Sequence, residues 1–287
     1  MFMNMAYLLR NTNDNRGETM HRLRYRAIFL SDIHLGTKDA QTEYLLDFLR
    51  HTEAGHIYLV GDILDLWKLR SGWHWTRLNN DIVRLLIEKA EAGSIVNYIP
   101  GNHDELLRDY TGSVFRGIHL VNEAVHTTAD GRRFLLLHGD EFDSVVINSP
   151  WLAHAGSWAY DGLLILNRHF NRLRRHLGFP YWSLSAYLKH KVKNAVNHIS
   201  SFEQALAREA AGRGIDGIIC GHIHRATIAD VDGVTYANCG DWVESCTALV
   251  EDFSGKLSVL HWVEQSGALL AQNAVAAPVL TKSTHSV

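Results

Sequence analysis

Short apolar runs alternate along the chain with segments whose apolar residues recur every three to four positions. Runs at 27–30, 56–60 and 94–99 have strand length and carry Ile, Val, Leu, Phe and Tyr. Between them, 42–50 sets Tyr44, Leu45, Phe48 and Leu49 on one face of a 3.6-residue period, and 77–90 does the same with Ile82, Leu85 and Leu86. This order predicts a layered α/β domain in which helices cover a sheet. Further strand-like runs lie at 134–137 and 218–220. Asp232-Gly233, between 227–231 and 234–237, is the two-residue turn of a hairpin, so the C-terminal part is expected to be antiparallel. Residues 1–19 are polar and read as a flexible leader, and 20–266 as the folded domain. Residues 267–287, mostly small and without an amphipathic repeat, read as a flexible tail.

Composition narrows the class. With 46% apolar and 21% charged residues, the 287-residue chain can bury a sizeable core and is not of the disordered type. Its 28 Lys and Arg against 31 Asp and Glu give a net charge of −3, unlike the basic footprint of a generic nucleic-acid coat. The balance hides an asymmetry. Residues 162–202 contain no Asp or Glu but seven Lys or Arg, interleaved with Phe170, Phe179, Tyr181, Trp182 and Tyr187, which leaves the remainder at −10. We read 144–202 as an inserted helical subdomain. The three cysteines form no C-x-x-C pair, which argues against a disulfide framework and a cysteine zinc site. No apolar stretch reaches the roughly 20 residues of a membrane span, and the N-terminus lacks a basic-then-apolar signal pattern. A cytoplasmic location is expected.

Five polar clusters each follow directly on an apolar run: Asp32-Ile33-His34, Gly61-Asp62-Ile63-Leu64-Asp65, Gly101-Asn102-His103-Asp104, His138-Gly139-Asp140 and Gly221-His222-Ile223-His224. The carboxyl end of a strand is where α/β sheets bind ligands, so the five are expected to converge on one rim. Asp, Asn and His without thiolate suit borderline divalent ions such as Mn, Fe or Zn. In an extended strand end, alternate residues of D-x-H and H-x-H point the same way, so both could reach one ion. Taken singly, these clusters are ordinary turns and caps; their conjunction carries the signal.

The order D-x-H, G-D-x-x-D, G-N-H-D, H and G-H-x-H resembles the calcineurin-like metallophosphoesterases over roughly residues 27–262. The resemblance implies a layered sandwich of mixed β-sheets flanked by helices, and two divalent ions bridged by Asp62. It assigns Asp32, His34 and His224 to one ion and Asn102, His138 and His222 to the other. Two cations would neutralise the anionic phosphoester and lower the pKa of a bridging water, so that hydroxide attacks in line without a covalent intermediate. His103 is not needed as a ligand and is expected to protonate the leaving oxygen or to stabilise developing charge, with Asp65 orienting it.

The gaps between successive ligands of the five clusters are 30, 40, 36 and 84 residues, so the last exceeds the others by about the length of the acid-free segment. An insert there would hang over the metal rim as a lid. Leu163, Leu166, Phe170, Leu173 and Leu177 form an apolar helical stripe with Arg168, Arg172 and Arg175 on other faces. This suits a phosphate-bearing amphiphile and contact with an anionic membrane surface.

Within the superfamily the layout, including Asn238-Cys239-Gly240-Asp241-Trp242-Val243, resembles the UDP-2,3-diacylglucosamine diphosphatases of lipid A biosynthesis. That implies cleavage of a UDP-linked acylated sugar to UMP and a lipid monophosphate, with manganese as the usual ion and the acyl chains under the lid. His103 departs from the Arg expected in that group, which leaves another lipid-linked or nucleotide phosphodiester open as substrate. A nuclease would use the basic insert along a phosphate backbone, but the apolar stripe argues against it. A non-catalytic scaffold is disfavoured because all seven ligand positions are filled. A protein phosphatase is disfavoured because Leu66-Trp67 follows Asp65.

Overall fold

The structure is a computed structural model that describes residues 22–70, 72–142 and 192–266. Two mixed β-sheets pack face to face, and helices cover the outer face of each. The first sheet is built on three parallel strands, β1 (Leu23–Leu30), β2 (Thr52–Val60) and β3 (Ile95–Ile99). Beyond β3 it continues through the short strands β4 (Val114–Phe115) and β5 (Ile118–Leu120), in the order β3-β5-β4. The second sheet contains β6 (Ala124–Thr127), β7 (Arg133–Leu136), β8 (Gly217–Cys220), β9 (Thr227–Val231) and β10 (Val234–Asn238), in the order β6-β7-β8-β10-β9. The chain then returns to the first sheet, where β11 (Thr247–Glu251) lies antiparallel between β1 and β12 (Leu257–His261).

Strand alternation decides the layers. Ala27 and Phe29 of β1 face the second sheet and pack with Val60, Ile99, Phe134, Leu136, Ile219 and Leu249. Ile28 and Leu30 face outward, against α1 (Thr42–His51) and α2 (Arg77–Glu91), where Leu45, Phe48, Leu49, Ile82 and Leu86 complete the cluster. Across the second sheet, α3 (Val192–Gly212) lays Phe202, Leu206, Ala207 and Ala210 on Leu135, Ile218 and Tyr236. The spacing of four, one and three is a helical face. Glu43 in the first turn of α1 and Arg50 and His51 in the last suit the helix dipole.

The expected α/β sandwich is what folds, with one correction. The C-terminal part is not uniformly antiparallel: β9 and β10 form the hairpin, with Asp232 at φ 54° and Gly233 at φ 81°, but β10 runs parallel to β8. Two-residue turns fix only the local pairing; the partner on the far side is set by burial of both faces. The leader, the tail, and residues 144–191 of the expected insert, with Arg168, Arg172 and Arg175, lie outside the described residues. Among the described residues, no helix is long and apolar enough to cross a membrane.

A buried ionic network closes the sandwich at the end opposite the strand-end clusters. Glu251, fully buried, accepts from Arg26 Nη1 at 2.8 and 2.9 Å and from the Ala129 amide at 2.7 Å, and lies 2.8 Å from His126 Nε2. Arg26 and Glu251 belong to the first sheet and His126 to the second, so the carboxylate ties the sheets together. Replacing Glu251 by Ala would leave the half-buried Arg26 guanidinium and the buried His126 facing one another without their shared carboxylate. We predict a loss of about 3–5 kcal/mol in urea unfolding with metal content unchanged; a loss below about 1 kcal/mol would contradict this role.

Candidate metal centre

Each polar cluster occupies the loop directly after a strand: Asp32 after β1, Asp62 after β2, Asn102 after β3, His138 after β7 and His222 after β8. The parallel strands bring these loops to one rim. The loops after β1 and β2 also bond to each other: the amides of Asp32, His34 and Leu35 donate to the carbonyls of Gly61, Asp62 and Ile63 at 3.0, 2.9 and 2.9 Å.

The D-x-H and H-x-H pairs do not converge through an extended backbone, as the alternation argument expects. Asp32, His34, Asp62, His222 and His224 all take left-handed backbone, with φ of 51°, 53°, 54°, 71° and 52°. Such backbone costs about 1–3 kcal/mol per non-glycine residue and persists only where the surroundings over-determine it. Its concentration at these five side chains marks a site where donor placement outweighs local stability. Two glycines show how closely the loops approach. A Cβ at Gly61 would lie 2.1 Å from His138 Nδ1, and one at Gly221 would lie 2.5 Å from Asp32 Oδ2.

Asp62 is the centre of the arrangement. Its Oδ2 lies 3.4 Å from His138 Nε2, 3.9 Å from His34 Nε2 and 4.0 Å from His103 Nε2, and its Oδ1 accepts the His103 amide at 2.8 Å. His138 Nδ1 lies 3.0 Å from the Val60 carbonyl, which turns Nε2 inward. On the other flank, Asp32 Oδ1 lies 3.2 Å from His224 Nε2, and Asp32 Oδ2 accepts the His222 amide at 3.0 Å. The His222 ring stands 5.3 Å from that of His138. Three donor groups each fall within 4.8 Å: Asp32, His34 and His224; Asp32, Asp62 and His138; and His34, Asp62 and His103.

The chemistry of these donors fits divalent cations. Asp32 Oδ1, His34 Nε2, Asn102 Oδ1, His103 Nδ1 and His138 Nε2 are buried atoms without a hydrogen-bond partner, and all five belong to the strand-end clusters. Burying such atoms unpaired costs about 1–3 kcal/mol each, so a set of them in one place calls for a bound group. Oxygen and imidazole donors without sulfur select Mn, Fe or Zn over soft ions. Bound there, divalent ions supply charge neutralisation for a phosphoester and acidify a water.

Without metal, the donors compensate one another. Burial opposes ionisation of Asp62, yet the imidazoles of His138, His103 and His34 outweigh it and hold the carboxyl well below its usual range. Burial likewise opposes charge on His138 and His224, but Asp62 and Asp32 overcome it and push these imidazoles up to about 10 and about 9. A raised folded pKa stabilises the metal-free fold fully below the ordinary imidazole value of 6.5, and that stabilisation fades as pH rises through 9 to 10. A metal ion must displace these protons, so its affinity runs the opposite way. We predict that the melting temperature of chelator-treated protein falls between pH 7 and 10 while the increment from added Mn grows. A metal increment that shrinks over this range would contradict the arrangement.

Two carboxylates behind the rim hold it in shape. Asp65 Oδ2 lies 3.1 Å from His103 Nδ1 and 3.4 Å from His34 Nδ1, and the two imidazoles hold its carboxyl low against the opposing effect of burial. Asp104, the last residue of the third cluster, is fully buried. It accepts from the amides of Gly101, Ile63, Leu64 and Asp62 at 2.6, 2.9, 3.2 and 3.3 Å and from the Tyr98 hydroxyl at 2.5 Å. It pins the loop after β2 to that after β3. Asp241 does the same for the last turn, accepting the amides of Val243, Glu244 and Ser245, while the Trp242 amide donates to the Asp32 carbonyl at 3.0 Å.

A two-sheet α/β sandwich with Asp, Asn and His donors gathered at its strand ends defines a metal-dependent hydrolase of phosphoesters. The family model of the calcineurin-like phosphoesterases matches residues 25–226, and the chain belongs to that family. Among curated proteins it is 27% identical to a UDP-2,3-diacylglucosamine hydrolase of Neisseria gonorrhoeae, over 75% of this chain and 88% of that one. The counterpart of Xanthomonas oryzae pv. oryzae is 26% identical over 79% and 96%. The solved structure of YfcE, a phosphoesterase from E. coli, is 14% identical, covers 82% of this chain and 98% of its own, and superposes with a TM-score of 0.40.

Proposed function

We propose that the chain hydrolyses the diphosphate of a UDP-linked diacylated glucosamine to UMP and a lipid monophosphate, with two ions, manganese in the first place and iron or zinc as substitutes. The observation that carries the chemistry is the convergence of His34, His103 and His138 on one oxygen of Asp62 within 4.0 Å. The substrate rests on the two relatives named for UDP-2,3-diacylglucosamine, which align over most of both chains.

In this reading Asp62 would serve both ions, Asp32, His34 and His224 would hold one, and Asn102, His138 and His222 the other. As an imidazolium, His103 would give its Nε2 proton to the departing oxygen, with Asp65, 3.1 Å from Nδ1, favouring the charged ring. Arg168, Arg172 and Arg175 are assigned to the substrate's phosphates, and the acid-free segment around them to contact with a membrane surface. His103 supports a second reading, in which the same centre cleaves a different lipid-linked or nucleotide phosphodiester.

Hydrolysis of UDP-2,3-diacylglucosamine by chelator-stripped protein, with Mn restored and UMP followed, tests the assignment. Mn-dependent UMP release is the expected result. Cleavage of a simple phosphodiester without UMP release would reject the lipid substrate in favour of the second reading.

A further inference from the structure

Trp67 differs from the two core tryptophans in where it lies. Trp242 and Trp262 are fully buried and belong to the hydrophobic cluster under α1. Trp67 is half-buried and belongs to none of the three clusters. Its ring instead lies against His103, with centroids 4.0 Å apart and planes 27° from parallel.

The surroundings of His103 make that contact informative. One edge of its imidazole faces Asp65 through Nδ1 at 3.1 Å, and His34 meets it at 89° with centroids 4.6 Å apart. Its backbone is fixed at both ends, the amide on Asp62 Oδ1 at 2.8 Å and the carbonyl accepting the Leu66 amide at 3.1 Å. What remains is rotation of the ring about its side-chain bonds, and the indole covers the face through which that rotation would pass. The turn Leu66–Arg70 delivers both contacts at once: it begins directly after Asp65, and the Lys68 amide donates to Asp65 Oδ1 at 3.1 Å. Asp65 and Trp67, two residues apart, thus grip one ring by its edge and its face.

We infer that Trp67 is a positioning residue for His103, holding the imidazole in the orientation that presents Nε2 to the leaving oxygen. This rests on the proton-donor role proposed for His103. The experiment pairs two phosphodiesters on the Mn-reconstituted enzyme, one losing 4-nitrophenol, whose oxygen needs no proton to leave, and one losing a simple alkyl alcohol, which does. Trp67→Ala is expected to lower kcat on the alkyl ester about 10–100-fold, with KM and the aryl ester within about threefold, and Trp67→Phe to restore most of the loss. In a His103→Ala background, Trp67→Ala should add less than about twofold.

Equal losses on both esters, or a full effect of Trp67→Ala without His103, would overturn the inference. A second readout keeps it separate from the donor role. In metal-free protein with labelled histidine, the His103 ring C–H resonances, identified by their disappearance in His103→Ala, should sit upfield under the indole ring current and move downfield in Trp67→Ala. If they do not move, the clamp fails; if they move while His103→Ala spares the alkyl ester, the donor role fails instead.

Discussion

Asp62→Ala is expected to abolish turnover, by about 10³-fold or more, and to strip metal from the protein rather than merely slow its chemistry. The reason is positional. Asp62 Oδ2 is the atom on which His138, His34 and His103 converge, and Asp62 and Asp32 are the negative charges that compensate the buried imidazoles of His138 and His224. A divalent cation held by neutral imidazoles and the single carboxylate of Asp32 would keep about half of the charge compensation. The fold should survive, because the main-chain bonds between the loops after β1 and β2 do not use the Asp62 side chain. Metal analysis alongside kinetics checks the prediction. Full metal content in an inactive Asp62→Ala protein would mean that the carboxylate acts on substrate and not on the ions.

His103→Ala is expected to behave differently, retaining both ions while kcat falls about 10²- to 10⁴-fold. His103 shares the donor region of Asp62, at 4.0 Å from its Oδ2, but its Nδ1 is held 3.1 Å from Asp65. Burial disfavours its charged form, and Asp65 and Asp62 more than reverse this, so its pKa lies above the ordinary imidazole value. An imidazole with one nitrogen facing a carboxylate can carry a proton on the other, as a general acid requires. Loss of an ion in His103→Ala, measured by the same metal analysis, would move the residue from the acid role into the ligand set.

Much of the rim was legible because it is built from short-range pattern. Asp32, Asp62, Asn102, His138 and His222 each follow an apolar strand, and the end of a strand is visible without knowing which strands pair. What the pattern could not show is how the donors turn inward. Left-handed backbone at Asp32, His34, Asp62, His222 and His224 is imposed by loop-to-loop hydrogen bonds across distant parts of the chain, not by local preference. The role of Asp104 is hidden for the same reason, since four of its five partners are backbone amides of which three lie about 40 residues away. The strand β11 is hard to read because Thr247–Glu251 is buried on both faces and shows no alternation. Trp67 carries no periodic signal, and its stacking on His103 is a contact between distant parts of the chain.

The central claim is that one rim holds two ions across Asp62. Diffraction from Mn-loaded crystals, collected on both sides of the Mn absorption edge, tests it most directly. The account predicts two anomalous peaks per chain: one against Asp32, His34 and His224, one against Asn102, His138 and His222, and both within bonding distance of the Asp62 carboxylate. A single peak, or peaks that leave Asp62 uncoordinated, would contradict it.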